Sequence, residues 1–170
     1  SSLVSITRSG IGSASTLLAG TSGGGVFVSN NNGVSWAPSN TGLGDHLYIS
    51  SLSKLGSHLF VGTNDRGLFF SVDNGETWNP VNDGLTNPSI YCVVAKPPFL
   101  FAGSQGGVFR SSDSKIDWTI VNNGLPSGRQ ISAMCVSGSN LIAGTEFFGA
   151  YRSVDNGGTW NSLTKGLPQN

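Results

Sequence analysis

Nine acidic residues, nine basic residues, two histidines and two cysteines hold most of the reactive chemistry of this 170-residue chain. Hydrolysis of a glycosidic bond asks for two carboxylates flanking the scissile oxygen. Asp73, Asp113 and Asp155 fall inside a repeated octet, which leaves Asp45, Asp65, Glu76, Asp83, Asp117 and Glu146. Glu76 and Asp117 also lie in octets. Asp45 falls in a connection between successive repeats and Asp65 and Glu146 in connections between the second and third strands of a repeat, and three dispersed acids read as solvated loop charges rather than a catalytic pair. Arg66 and Arg129 are two basic residues predicted on the same face as those acids. His46 reads as an exposed loop residue and His58 as the start of a strand. No Ser/His/Asp, Cys/His or metal-ligand spacing stands out. Cys92 and Cys135 read as small buried residues, since two cysteines make no disulfide framework.

One loop is chemically different from its counterparts. Phe147-Phe148, beside Glu146, interrupts a connection that is polar elsewhere: Ser22-Gly23-Gly24, Asn64-Asp65-Arg66 and Gln105-Gly106. An aromatic pair at a loop tip can stack on a sugar ring or bind a neighbouring protein; the other reading has Phe148 cover an adjacent layer. The candidate ligand-binding set is therefore Asp45, His46, Asp65, Arg66, Gln105, Arg129, Glu146, Phe147 and Phe148. Neither a catalytic residue, a cofactor nor a metal is expected.

Composition narrows the scaffold that must position these residues. Charged residues make up 11% of the chain and glycine supplies 25 positions. So little charge argues against long amphipathic helices, while abundant Gly and Asn suit short strands joined by tight turns. The balanced charge offers no basic stripe for a phosphate backbone, so nucleic acid is excluded as an expected partner. The richest apolar stretch, 91–103, is broken by Lys96, Pro97 and Pro98 and is no membrane span. The start at Ser1-Ser2 reads as a processed or trimmed product.

Internal self-similarity is the strongest signal. Four octets align: Ser29-Asn-Asn-Asn-Gly-Val-Ser-Trp36, Ser71-Val-Asp-Asn-Gly-Glu-Thr-Trp78, Ser111-Ser-Asp-Ser-Lys-Ile-Asp-Trp118 and Ser153-Val-Asp-Asn-Gly-Gly-Thr-Trp160. They contain all four tryptophans, spaced 42, 40 and 42 residues apart. An apolar strand ending in Gly-Thr or Gly-Ser precedes each octet, and Gly-Leu follows each Trp: Gly42-Leu43, Gly84-Leu85, Gly124-Leu125 and Gly166-Leu167. The second repeat divides into strand-like runs at 49–54, 58–62, 67–72 and 77–81. A period near forty with four short strands predicts an all-β propeller of four-stranded antiparallel blades, at about 3–43, 44–85, 86–125 and 126–167. One such sheet cannot bury both faces alone, so blades must stack. About four extra residues between Gly10 and Leu17 are placed in the first hairpin.

The octet resembles the Asp-box (BNR) motif, S-x-D-x-G-x-T-W, shared by sialidases, oligoxyloglucan-active hydrolases, sortilin-type receptors and photosystem II assembly factor-like propellers. The longer repeat looks most like bacterial secreted members of that superfamily. The resemblance covers essentially the whole chain and implies a fold without fixing an activity. It implies that Asn31, Asp73, Asp113 and Asp155 close a turn onto backbone N–H groups, that Gly33, Gly75 and Gly157 supply positive φ, that Ser29, Ser71, Ser111 and Ser153 satisfy local polar groups, and that Trp36, Trp78, Trp118 and Trp160 are apolar plates. The third box departs twice, with Lys115 for Gly and Asp117 for Thr, so Lys115 is strained or its turn differs. The resemblance also puts Glu76 and Asp117 opposite the usual active face. Sialidases add an arginine cluster and a nucleophilic tyrosine, for which two loop arginines are too few.

These readings converge on a non-catalytic extracellular or cell-surface (or periplasmic) module that recognises a glycan or protein through loops opposite the Asp boxes. A structural repeat without a discrete ligand and a glycoside hydrolase are the alternatives. The four repeats could close alone, pair as halves of a larger ring, or belong to a longer chain; self-association through the terminal blades is the favoured expectation.

Overall fold

The computed structural model describes residues 2–9, 16–45, 47–112, 115–128 and 130–166, and among these it is all β with no helix. Sixteen strands form four antiparallel sheets in sequence order. The first blade is β1 (Ser2–Ser9), β2 (Thr16–Ser22), β3 (Gly25–Ser29) and β4 (Ala37–Pro38). The second is β5 (Ile49–Leu55), β6 (His58–Thr63), β7 (Leu68–Ser71) and β8 (Asn79–Pro80). The third is β9 (Ile90–Lys96), β10 (Phe99–Ser104), β11 (Gly107–Ser112) and β12 (Lys115–Ile120). The fourth is β13 (Ile131–Ser137), β14 (Asn140–Thr145), β15 (Gly149–Ser153) and β16 (Asn161–Ser162). Within each blade we call these strands A to D. The extra residues of the first hairpin lie mostly outside the described residues.

The core consists of three layers between consecutive blades, as expected for sheets that are apolar on both faces. Leu18, Val26 and Leu43 of the first blade meet Ile49, Leu52, Leu59, Phe69 and Trp78 of the second. Phe60 and Leu68 meet Ile90, Val93, Phe109 and Trp118 at the next layer, and Phe101 and Val108 meet Ile131, Leu141 and Trp160 at the last. Strand A of each blade lies beside strand A of the next.

Two glycine positions explain how closely the blades approach. A methyl group on strand B at Gly20 would lie 2.5 Å from Ile49 Cγ2 of the following blade, and at Gly62 it would lie 2.8 Å from Ile90 Cγ2. At Gly42, Gly84 and Gly124, all with positive φ, a methyl group would overlap the carbonyl oxygen of Trp78, Trp118 and Trp160 respectively. The Gly-Leu element after each Trp is thus the seat for the next blade's tryptophan.

The tryptophans occupy three equivalent niches and one different one. Trp78, Trp118 and Trp160 are 2%, 4% and 3% exposed, whereas Trp36 is 38% exposed. Each buried indole Nε1 donates to the preceding blade: to Ser39 O at 2.9 Å, Val81 O at 2.8 Å and Val121 O at 2.8 Å. Their backbone N–H groups donate to Thr41 O, Asp83 O and Asn123 O. These bonds explain why strand D is shorter than the sequence suggests. In the second blade only Asn79 and Pro80 pair with β7, because Thr77 is held by the box and Trp78 by the neighbouring blade.

One expectation is corrected and one open alternative is resolved. Cys135 is exposed rather than buried, while Cys92 is partly buried, its thiol 3.8 Å from Ile131 O and pushed up to about 12 by burial. In the third box Lys115 begins the extended strand β12, paired with Ser112, so it is the turn that differs. Without the glycine that allows a wide box turn, the chain reverses sooner, and strand D there is the longest of the four.

Candidate functional site

The Asp boxes join strands C and D and form one rim of the blades. In the second box Ser71 Oγ accepts from Gly75 N at 2.8 Å and donates to Asp73 Oδ1 at 2.6 Å. Asp73 Oδ1 also accepts from Thr77 N at 2.9 Å, and Thr77 Oγ1 donates to Asp73 Oδ2. The fourth box repeats this with Ser153, Asp155, Gly157 and Thr159. In the first, Ser29 Oγ donates to Asn31 Oδ1, which accepts from Ser35 N, and Asn31 Nδ2 donates to Ser35 Oγ. Positive φ falls on two successive residues, Asn32-Gly33, Asn74-Gly75 and Asn156-Gly157. The asparagine before the glycine, legible in the octet, is therefore part of the turn. Asp113 lies outside the described residues.

The carboxylates of these boxes are engaged by donors of their own turns. Hydrogen bonds from Ser71 and then Thr77 hold Asp73 at about 2, and those from Thr159 and then Ser153 hold Asp155 at about 2, against 3.8 ordinarily. Because the folded state lowers both values, their stabilising contribution is complete above about pH 4 and is lost as the pH falls through 2. We expect D73N/D155N, which copies the first box, to lose less stability than the wild type between pH 5 and 2. Urea midpoints measured at both pH values test this; equal acid losses would contradict it.

The opposite rim carries the B–C and D–A connections, and it holds every described member of the candidate set. Backbone bonds tie the two kinds of loop together: Gly23 N and Gly25 N donate to Leu47 O, Asn64 N to Tyr48 O, Gly67 N to Pro88 O and Glu146 N to Gln130 O. The Thr or Ser ending strand B closes each B–C loop, with Thr21, Thr63, Ser104 and Thr145 donating to the carbonyls of Gly25, Gly67, Gly107 and Gly149. Asp45, Asp65, Arg66, Gln105, Glu146, Phe147 and Phe148 are all exposed. His46 and Arg129 lie outside the described residues. The acids Asp45, Asp65 and Glu146 are carried by three different connections. Among the described residues no cluster of three or more His, Cys, Asp or Glu is placed to hold a metal.

Three further features were missed by the sequence reading. Asn40, Asn82 and Asn122, each four residues past a Trp, clamp the B–C loop of their own blade. Asn82 Oδ1 accepts from Leu68 N at 2.8 Å while Nδ2 donates to Arg66 O at 3.1 Å, and the other two do the same. The signal Trp-x-x-x-Asn was visible, and so was its loss in the fourth repeat, where Thr164 stands instead. The loop lacking this clamp is the one carrying Phe147, which adopts φ +70° and is 73% exposed. Finally, the inner strand ends converge on a depression of mixed lining, in which Ser50, Asn64, Tyr91, Gln130 and Ser132 meet Val4, Ser22 and Ile49. Ser50 Oγ is buried there without a hydrogen-bond partner. No single repeat displays this convergence, since all four blades contribute to it.

Stacked four-stranded blades, box turns on one rim and clamped loops on the other define a β-propeller fold with four blades in this chain. The family model of the BNR/Asp-box repeat matches residues 69–80. No curated protein matches the sequence. Among solved structures, YCF48 bound to D1 peptide superposes with TM-score 0.71 at 15% identity, covering 99% of this chain and 57% of that one. The extracellular domain of BT4673 from B. thetaiotaomicron gives 0.74 at 17% identity, over 94% of this chain and 22% of that one. An ancestral GH74 enzyme gives 0.75 at 19% identity, over 99% and 26%. The chain thus spans little more than half of the first and about a quarter of the others, and the likeness is one of fold.

Proposed function

We propose that the chain is a non-catalytic recognition module that binds a glycan or a protein with the rim opposite its Asp boxes. The observation that carries this reading is Phe147. A bulky residue in the left-handed region costs on the order of 1–3 kcal/mol and persists where the surroundings impose it, often at ligand contacts. Here the strained side chain points no apolar surface inward, since it is largely exposed. It stands beside Glu146, whose backbone is fixed to Gln130 of the depression. An exposed aromatic plate on a rim that also carries amides and hydroxyls suits a sugar face or an extended peptide. YCF48 with its D1 peptide and the GH74 enzyme are neighbours of both kinds, and the extracellular domain of BT4673 supports a location outside the cytoplasm.

Phe147→Gly separates binding from folding. It relieves the positive-φ strain, so the urea midpoint is expected to hold or rise, while affinity for the glycan or peptide selected on an immobilised array falls at least about tenfold. Unchanged affinity contradicts the assignment. The glycosidase reading is tested with chromogenic glycosides; turnover lost on changing Asp45, Asp65 or Glu146 would replace the binding-module reading.

A further inference from the structure

We propose that the hollow between the first and second blades, on the Asp-box side, is a binding site for a guanidinium group, the arginine side chain of a partner protein. This inference stands apart from the loop-rim reading, because it concerns the opposite rim. Both walls of the hollow are blades of this chain.

The space is made by a pair of small side chains. Leu17, Leu59 and Leu100 each pair with the serine that opens an octet, Ser29, Ser71 and Ser111. The residues just before these place Thr16 level with His58 and Phe99, and Val28 level with Phe70 and Arg110. Between the second and third blades His58 and Phe70 meet edge to face, with ring centroids 6.4 Å apart. Between the third and fourth, the Arg110 guanidinium lies 5.0 Å over the Phe99 ring. Thr16 and Val28 are too short to meet in this way. They leave a hollow of about 290 Å³, walled by Val28, Ala37 and Pro38 on one side and by Asn74 and Glu76 on the other.

The equivalent space two blades further on shows what such a hollow accepts. There Arg110 donates to Asn156 O at 3.0 Å, and Lys96 Nζ donates to Asn156 Oδ1. Asn74 holds the octet position of Asn156, and two residues later Glu76 stands where the fourth box has Gly158. At the first contact, then, an uncharged Val28 replaces the internal cation, and the facing box has gained a carboxylate. Glu76 and Asn74 are both exposed, so a cation can reach them from outside.

The lining selects arginine among cations. Val28, Ala37 and Pro38 offer apolar surface to an alkyl stem, and the amide and carboxylate opposite offer acceptors to a planar fork. A guanidinium is also less strongly hydrated than an ammonium, so it enters a half-apolar hollow more readily. Glu76 repels anions, which sets phosphates and carboxylates aside. An exposed pair of charges holds a ligand weakly by itself. The hollow is therefore the anchor point of a wider protein contact, a part that arginine often plays at interfaces.

The probe is N-acetylarginine amide, titrated into the whole chain and followed through the backbone NMR signals of residues 74–76. Saturable shifts are expected with this probe and not with N-acetylcitrulline amide, its uncharged isostere. Glu76→Gln is expected to weaken the arginine probe by about two- to fivefold. T16F/V28R copies the third-blade pair and fills the hollow from within. It is expected to hold or raise the urea midpoint and to abolish the shifts. Because Glu76 is exposed, its variant keeps the fold and carries the test even where the double variant does not fold. No saturable shift in the wild type, an equal response to the citrulline probe, or unchanged arginine affinity in either folded variant would overturn the proposal. Equal affinity for N-acetyllysine amide would overturn the choice of a guanidinium.

Discussion

Replacing Trp78 by Ala is expected to cost about 3–5 kcal/mol, whereas the same change at Trp36 in the dilute single chain is expected to cost less than about 1 kcal/mol. The two residues close equivalent octets, so residue type and local turn do not distinguish them. What differs is the neighbour. Trp78 lies in the layer with Leu18, Val26 and Leu43 and bonds to Ser39 O and Thr41 O of the first blade. Truncation removes a large buried area and leaves Ser39 O without its indole donor, while the backbone bond to Thr41 O is kept. Because blade stability is shared only with nearest neighbours, the loss falls on the contact between the first and second blades. Urea unfolding of both variants checks the contrast. Equal costs would mean that the indole acts within its own blade.

Gly84→Ala is expected to destabilise the protein by about 2–5 kcal/mol and Gly166→Ala by about 1 kcal/mol. Both glycines have φ near the same value, +83° and +88°, so the backbone penalty is common to the pair. At Gly84 the added methyl group would overlap the Trp118 carbonyl oxygen, and the opposing atom is backbone, which cannot rotate away. The second and third blades must move apart and loosen the layer of Leu68, Ile90, Phe109 and Trp118. At Gly166 no neighbour lies within reach. The difference in urea midpoint between the two variants therefore measures the seat itself, and similar midpoints would show that the seat imposes nothing beyond its φ.

Much of this architecture was legible in the residues, for a physical reason. Ser, Asp, Gly and Trp at fixed offsets form a turn whose hydrogen bonds are local, so an octet such as 71–78 announces its own geometry. The continuous apolar run of Leu59–Thr63 and its counterparts likewise reveals strands that are buried on both faces. What escaped depends on partners distant in sequence. That strand D leaves its own sheet at Trp78 to bond with Thr41, that Trp36 lacks a seat, and that Cys135 is exposed all follow from which blades meet. The Asn82 clamp was readable as a repeated spacing, yet its role required the loop it holds. Asp65, Arg66, Glu146 and Phe147 stand together on the loop rim because each lies in a connection whose flanking strands the repeat makes plain. The depression with Tyr91, Gln130 and the buried hydroxyl of Ser50 was not legible, because its members come from different blades.

The central claim is that each blade is pinned to the one before it by an indole seated over a glycine. Hydrogen exchange of the four indole N–H groups, followed by NMR in dilute solution and assigned by single Trp→Phe changes, addresses it directly. Three slowly exchanging indoles, those of Trp78, Trp118 and Trp160, and one fast one, that of Trp36, are the predicted result. Four indoles exchanging at one rate, or a fast signal belonging to any residue other than Trp36, would contradict it.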